Sequence, residues 1–160
     1  MSIDKRKRLL AFSKELADVD GLVEGLKCIS QNAKFIMESE RCSIFLYDSK
    51  KSELWTTLAD GIDRIIIPSD TGIIGRVIRV QKVLFENEPY DNPYFLSDID
   101  IQSGFFTKNL IAAPIFDSNG DIIGVLELLN KDTSYNKDDA SFIHFLAHYI
   151  SGFIELHLTR

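Results

Sequence analysis

Two apolar segments separated by a tight turn constrain the fold of this chain more than any other feature. Residues 109–116 and 121–129 are rich in Ile, Leu, Val and Ala, and the linker between them is Asp117-Ser118-Asn119-Gly120. An Asn-Gly pair in such a linker is a strong signal for a β-hairpin. Because the second segment is apolar on both of its alternating faces, we predict a central strand that is covered on both sides.

One residue interrupts the apolar pattern of that second strand. Residues 124–131 read GVLELLNK, and the carboxylate of Glu127 stands in the middle of them. An ionised carboxylate without a partner in a core is costly. Glu127 therefore either faces a covered polar cavity, or lies at a sheet margin where water or a nearby lysine reaches it. The pattern alone leaves both interpretations open.

Helical periodicity flanks the strands at both ends of the chain. Residues 5–17 and 22–36 carry apolar side chains at spacings of three and four, and residues 138–158 do so over a longer range. The apolar face of the last segment is so broad that it predicts a second partner, either residues 22–36 or the same helix of another subunit.

The segments between the helices predict a meander of short strands. Strands are expected at residues 41–47, 53–58, 64–67 and 83–86, with Pro68 stopping the third, and a helix is expected at residues 71–78. Residues 87–106 are irregular, with a short helix expected near residues 95–101. The order predicts an α+β fold, an antiparallel sheet of about six strands covered by helices. We predict a single domain over residues 1–160, with N-terminal helices at 5–37, a core at 41–131 and a C-terminal helix at 138–158.

Charge and composition exclude several classes of function. The net charge is −6 and the pI is about 5.0, so nucleic acid is not expected as a partner, and the basic residues 5–8 are interpreted as an exposed helix start. No apolar run is long enough for a membrane span, and no signal peptide is apparent. Cys28 and Cys42 form neither a disulfide framework nor a zinc site, which favours a cytoplasmic setting. His144 and His148 lack a third ligand, so no metal site is predicted.

Four strings of the sequence resemble a known family. They are RCSIFLYD (residues 41–48), IPSDTGIIGRV (67–77), SGFFTKNLIAAPI (103–115) and IIGVLELLNK (122–131), the last continuing to Tyr135 and Asp139. Together they resemble the GAF domain, most of all the type found in cyclic-nucleotide phosphodiesterases and certain adenylyl cyclases. The resemblance implies terminal helices on one face of the sheet, and a helical or loop lid over a ligand pocket on the other.

The resemblance also implies a ligand and the residues that hold it. The ligand would be a cyclic nucleotide, cGMP or cAMP, with no required cofactor. Ser43 would hold the base, Asp60 would meet the base edge, and the backbone amides of Ile73 and Ile74 would bind the cyclic phosphate. Glu127 would close the site from the central strand. The lid side would be lined by Asp100, Ser103 and Thr107. Lys131 and Asp139 would form a salt bridge that steadies the pocket.

Three functions remain open at this stage. The first is a non-catalytic, regulatory small-molecule sensor of a signalling protein, a homodimer through its N- and C-terminal helices, with a fused effector domain outside this chain. The second is a dimerisation or scaffold module with a vestigial pocket, because Ala59 and Leu96 stand where the family usually has aromatic residues. The third, a sulfoxide reductase of the GAF type, is disfavoured because neither cysteine falls between residues 87 and 106.

Overall fold

The computed structural model describes residues 2–56, 65–70, 72–95 and 106–158. Two helices come first, α1 (Ile3–Asp18) and α2 (Leu22–Ile36). Three strands follow, β1 (Ser39–Asp48), β2 (Glu53–Thr56) and β3 (Ile65–Pro68). Helix α3 (Gly72–Val80), strand β4 (Leu84–Glu86) and a 3₁₀ turn (Pro89–Asp91) lead to β5 (Leu110–Phe116), β6 (Ile122–Lys131) and the final helix α4 (Lys137–Leu158).

The six strands form one antiparallel sheet in the order β3-β2-β1-β6-β5-β4. The predicted hairpin of β5 and β6 is present, and β6 lies in the interior of the sheet between β1 and β5. The α+β fold class predicted from the sequence is therefore confirmed. The two longest strands, β1 and β6, pair over most of their length, from Ser39 opposite Lys131 to Leu46 opposite Gly124.

The terminal helices cover one face of the sheet. Their buried side chains, among them Phe12, Ile29 and Ile150, form a single apolar core with the even-numbered residues of β1, such as Cys42 and Ile44. Helix α4 packs against α2 as well as against the sheet, so the broad apolar face of α4 has a partner within this chain. Among the described helices, none is long and apolar enough to cross a membrane.

Helix α3 covers part of the opposite face. Ile74 and Val77 of α3 pack against Phe45 of β1 and Val125 of β6 in a second, smaller apolar cluster. The odd-numbered residues of β1 and β6 therefore point toward α3, and the even-numbered residues point toward the terminal helices. Glu127 belongs to the odd-numbered set.

Some predicted boundaries were wrong. Pro68 does not stop β3 but is its last residue, opposite Glu53 of β2. It is tolerated because β3 is an edge strand, where a missing N–H costs no sheet hydrogen bond. β1 begins at Ser39 rather than Arg41, and β6 continues to Lys131. The helix expected near residues 95–101 lies, apart from Phe95, outside the described residues, and Phe95 itself is not helical.

The close approach of β1 and β6 depends on a glycine, which generates a first prediction. A Cβ atom at Gly124 would lie 2.5 Å from the backbone oxygen of Phe45. Since a backbone atom cannot swing away, we expect Gly124→Ala to lower the free energy of unfolding by about 1–3 kcal/mol. Chemical denaturation followed by Trp55 fluorescence and circular dichroism measures this change.

Gly152→Ala on α4 is the matched control. A Cβ there meets nothing within 4 Å. It should be neutral or stabilising by up to about 1 kcal/mol, as expected for Gly→Ala in a helix. Equal effects of the two substitutions would contradict the steric account.

Candidate ligand site between the sheet and helix α3

A polar row crosses the middle of the sheet face that α3 covers. Glu127 of β6 lies opposite Ser43 of β1 on one side and Ala112 of β5 on the other. Ser43 is 8% exposed, whereas Glu127 is half-buried. The next residues along these strands on the same face, Phe45 and Val125, are apolar and buried. A hydroxyl and a carboxylate thus stand together in an otherwise apolar surface, and both can accept hydrogen bonds from a ligand.

The start of α3 brings backbone amides to this side of the sheet. Ile73 and Ile74 are 6% and 7% exposed, which fixes the first turn against the core. Gly72 has a φ of +72°. A Cβ at Gly75 would lie 2.8 Å from the Ser69 carbonyl oxygen and from the backbone of Asp70, so glycine is required there. The first amides of a helix have no partner within the helix, and they favour anions.

We name residues 87–106 the crossover segment. Aromatic side chains from its two described ends contact each other. The ring of Tyr90 stacks on Phe106, with 5.2 Å between ring centroids, and meets Phe95 edge-on at the same distance. The Tyr90 hydroxyl accepts a hydrogen bond of 3.2 Å from the backbone N–H of Thr107. Thr107 is 1% exposed. The two ends of this long connection are therefore joined to each other.

Two asparagines attach the end of the crossover segment to β6. The side-chain oxygen of Asn130 accepts from the backbone N–H of Lys108 at 2.7 Å, and its amide donates to the Phe106 carbonyl at 2.9 Å. Asn109 forms hydrogen bonds in the opposite direction along the chain. Its side-chain oxygen accepts from the Lys131 N–H, and its amide donates to the Lys131 and Thr133 carbonyls. Asn130 has a φ of +63°, a conformation that asparagine tolerates better than most residues.

The next residues connect this junction to the start of α4. The Lys131 ammonium lies 3.0 Å from both carboxylate oxygens of Asp139, which is 6% exposed. Asp139 also accepts from the backbone N–H of Asn136, and the Asn136 side chain accepts from the N–H of Asp139. This reciprocal capping fixes the first turn of α4. The end of β6 is thereby bound to the crossover segment and to α4.

Tyr135 is the buried centre of the same junction. It is 1% exposed, and its hydroxyl lies 2.6 Å from the Ser39 hydroxyl. Its backbone exchanges two hydrogen bonds with the Asn87 side chain, at 2.9 and 3.1 Å. Burial raises the pKa of the Tyr135 hydroxyl well above its usual value, while the hydrogen bond to Ser39 opposes the rise and the nearby Asp139 and Glu127 carboxylates add to it.

Comparison with known proteins agrees with this architecture. The family model described as the GAF domain matches residues 22–154. This chain belongs to the GAF family. It is 25% identical over 170 aligned residues, 94% of the chain, to a cGMP-specific 3',5'-cyclic phosphodiesterase of Drosophila mojavensis, but it spans only 15% of that protein's length.

Solved structures show the same fold at lower identity. The GAF domain of an Acinetobacter phosphoenolpyruvate-protein phosphotransferase has a TM-score of 0.81 and 18% identity, covering 97% of this chain and 95% of that one. A free methionine-R-sulfoxide reductase from Neisseria meningitidis has a TM-score of 0.78 and 19% identity, covering 97% and 90%. The GAF domain is a regulatory small-molecule-binding fold of signalling proteins.

The GAF site expected from the sequence is only partly within the described residues. Ser43 and Glu127 lie side by side, and Ile73 and Ile74 lie at the start of α3 on the same side of the sheet. Thr107 lies at the junction that precedes β5, where its backbone N–H donates to the Tyr90 hydroxyl. Lys131 and Asp139 form the expected ion pair. That this ion pair steadies a ligand pocket stays a prediction. The remaining expected residues, which lie outside the described part of the chain, are Asp60, Asp100 and Ser103.

Sequence reasoning missed three polar residues of this GAF domain. Thr56 is 1% exposed, and it lies on the face toward α3 because it is two residues from Leu54 on the same strand. Alternation along β2 was the sequence signal that could have identified it. Asn109 and Asn130 carry the junction described above. Asn130 belongs to the string at residues 122–131, but its hydrogen-bond partners are far away in the sequence and gave no local signal.

Neither cysteine of the chain lies on the α3 side of the sheet. Cys42 is completely buried under the terminal helices. Cys28 lies on α2 beside Glu15, and burial together with that carboxylate raises the pKa of its thiol. A thiol that resists ionisation is a poor nucleophile, and these positions are unsuited to thiol chemistry at the site. Among the described residues, no group of three or more His, Cys, Asp or Glu side chains could hold a metal ion.

The junction at Asn130 can be tested by a pair of substitutions. Asn130→Gly keeps the freedom to adopt positive φ but removes the side chain that accepts from the Lys108 N–H. Asn130→Ala removes the same side chain and adds the cost of a left-handed backbone, about 1–2 kcal/mol. We expect faster amide hydrogen exchange at Lys108 in both variants and lower stability of the alanine variant. Unchanged exchange at Lys108 would contradict the role of Asn130.

Burial of Tyr135 predicts a dependence of stability on alkaline pH. Above pH 10.0, the ordinary pKa of tyrosine, the unfolded chain loses this proton while the folded protein keeps it. The folded state then binds more protons, so the free energy of unfolding must fall as the pH rises. We expect the free energy of unfolding to fall less steeply with pH in Tyr135→Phe than in the wild type. Chemical denaturation at several pH values measures both slopes. Tyr94→Phe is the control, because Tyr94 stays about half exposed after folding. An unchanged slope in Tyr135→Phe would contradict the assignment.

Proposed function

We propose that this GAF domain is a non-catalytic regulatory domain that binds a cyclic nucleotide, cGMP or cAMP, between α3 and the sheet, beneath the crossover segment. The observation that carries the proposal is the pairing of Ser43 with Glu127 in the middle of the apolar face that α3 covers. A hydroxyl and a carboxylate in that place can both accept hydrogen bonds from a polar ligand.

The parts of a cyclic nucleotide match the chemistry of this site. The negatively charged cyclic phosphate would lie at the amides of Ile73 and Ile74, because a helix N-terminus attracts anions. The base would lie toward Ser43 and Glu127, since a purine carries N–H groups that a carboxylate accepts. Thr107, Ser103 and Asp100 would line the lid side, and Asp60 would meet the base edge. An aspartate there favours guanine, whose N1–H and exocyclic amine both donate. The similarity to a cGMP-specific phosphodiesterase supports the same choice of ligand.

Binding would be relayed through the junction at the end of β6. Asn130 and Asn109 hold the crossover segment, and Lys131 holds Asp139 at the start of α4. A ligand that contacts the crossover segment would bias the position of α4 through these contacts. In this proposal the domain works in the cytoplasm as a homodimer through its terminal helices. It would control an effector domain of a longer signalling protein.

Calorimetric titration with cGMP and with cAMP tests the proposal. We expect binding at micromolar or lower concentration, and we expect Glu127→Gln to weaken it by about tenfold or more, because hydrogen bonds to charged groups contribute about 1.5–3 kcal/mol. Thr107→Ala and Asp60→Ala should also weaken it. Glu24→Gln is the matched control, since Glu24 is exposed on α2, on the other side of the sheet.

Two results would overturn this function. The first is a lack of heat with either nucleotide in protein whose circular dichroism shows it to be folded. That result would favour the dimerisation or scaffold module with a vestigial pocket. The second is equal weakening by Glu127→Gln and Glu24→Gln, which would mean that the carboxylate acts only through overall charge. If cAMP bound more tightly than cGMP, the role of Asp60 at a guanine edge would be wrong.

A further inference from the structure

A separate cavity of about 230 Å³ lies beside α3. Its lining includes Ser69 and Asp70, which precede α3, the helix residues Arg76 and Arg79, and Tyr94 of the crossover segment. Volumes of about 300–1,000 Å³ are usual for drug-sized ligands, so this cavity suits something smaller.

The periodicity of α3 separates this cavity from the side of the helix that faces the sheet. Ile73, Ile74 and Val77 are buried, and Ile74 and Val77 pack against the sheet. Gly72, Gly75, Arg76 and Arg79 follow one another at spacings of three, one and three and line the cavity instead. The same short helix therefore has an apolar surface toward the sheet and a surface that carries both arginines, and Ile78 contributes to each of them.

The two arginines of the cavity have no acidic partner among the described residues. Arg76 and Arg79 form no ion pair there, although Arg76 stacks over the ring of Tyr94 with its guanidinium carbon 4.7 Å from the ring centroid. Such stacking holds a guanidinium in place and leaves its N–H groups free to donate. Although the net charge of the protein is −6, the described lining of this cavity holds two arginines and only one carboxylate, that of Asp70.

We propose that this cavity binds a small phosphate dianion, either inorganic phosphate or the phosphate group of a small monoester. Arginine presents planar N–H donors that match the oxygens of phosphate two at a time. Arg76, oriented by Tyr94, would make one such pair, and Arg79 would supply the second charge. The Asp70 carboxylate also lines the cavity, and its negative charge limits how much anionic charge fits there, so a ligand with one phosphate fits better than a longer polyanion. This site is distinct in position from the proposed cyclic-nucleotide site, which uses the other side of α3.

Nuclear magnetic resonance of the arginine Nε–H groups tests the proposal on the full chain. Inorganic phosphate is titrated at constant ionic strength against chloride, and succinate is titrated in parallel as a dicarboxylate of the same charge. We expect saturable shifts at Arg76 and Arg79 with a dissociation constant on the order of 1 mM or tighter. Arg79→Gln should weaken binding by about tenfold, and Arg79→Lys should weaken it less, because lysine keeps the charge but loses the planar fork.

Arg6→Gln on α1 is the matched control, because it removes the same charge from an exposed position on the opposite face of the sheet. Its binding of phosphate should equal that of the wild type. Shifts that rise linearly without saturation, or equal losses in Arg79→Gln and Arg6→Gln, would overturn the site and leave only general screening of charge. Tighter binding of succinate than of phosphate would overturn the class of ligand. Both readouts are separate from the heat of cyclic-nucleotide binding, so this proposal and the proposed function can fail independently.

Discussion

The pairing of β1 with β6 is the constraint on which the rest of the structure depends. These two strands are the longest of the sheet and lie at its centre. Because side chains alternate along a strand, their register decides at once which residues face the terminal helices and which face α3. A shift by one residue would move Cys42 and Leu128 out of the large core and bury Glu127 beneath α1, α2 and α4. The closely approached backbone at Gly124 and Phe45 fixes this register at one end, and Ser39 opposite Lys131 fixes it at the other.

The two faces of the sheet have different chemistry. One face is apolar and is covered by three helices, and its buried side chains pack against those helices. The other face carries a smaller apolar cluster around Ile74, and beside this cluster lie the polar residues Ser43 and Glu127. Sealing only one face leaves the second available for a ligand without loss of the main core. The junction at Asn130 and Lys131 joins the two faces, since it contacts both the crossover segment and α4.

Local patterns in the sequence predicted the parts of this fold that depend on local chemistry. The Asn119-Gly120 turn and the apolar alternation beside it were enough to predict the central hairpin, and helical spacing was enough for the terminal helices. What the sequence could not show depends on distant partners. Pro68 could be part of a strand only because β3 is at the edge of the sheet. The junction of Asn130 with Lys108 joins residues 22 apart. Glu127 stood out because it interrupts the apolar alternation of β6, whereas the resemblance to the GAF family supplied the other candidate site residues.

Helix α3 is the element through which separate ligands would affect each other. Its first turn is held rigidly, because Gly75 lies against the backbone of Ser69 and Asp70. An anion at Arg76 and Arg79 and a nucleotide at the amides of Ile73 and Ile74 would both act on nine-residue α3. If one ligand displaces the helix, the affinity for the other must change, and linkage requires that the effect be equal in both directions. A helix too short to bend internally would pass such a displacement from one side to the other as a rigid body. The two surfaces of α3 would then be coupled, because both ligands would act on the position of this helix relative to the sheet.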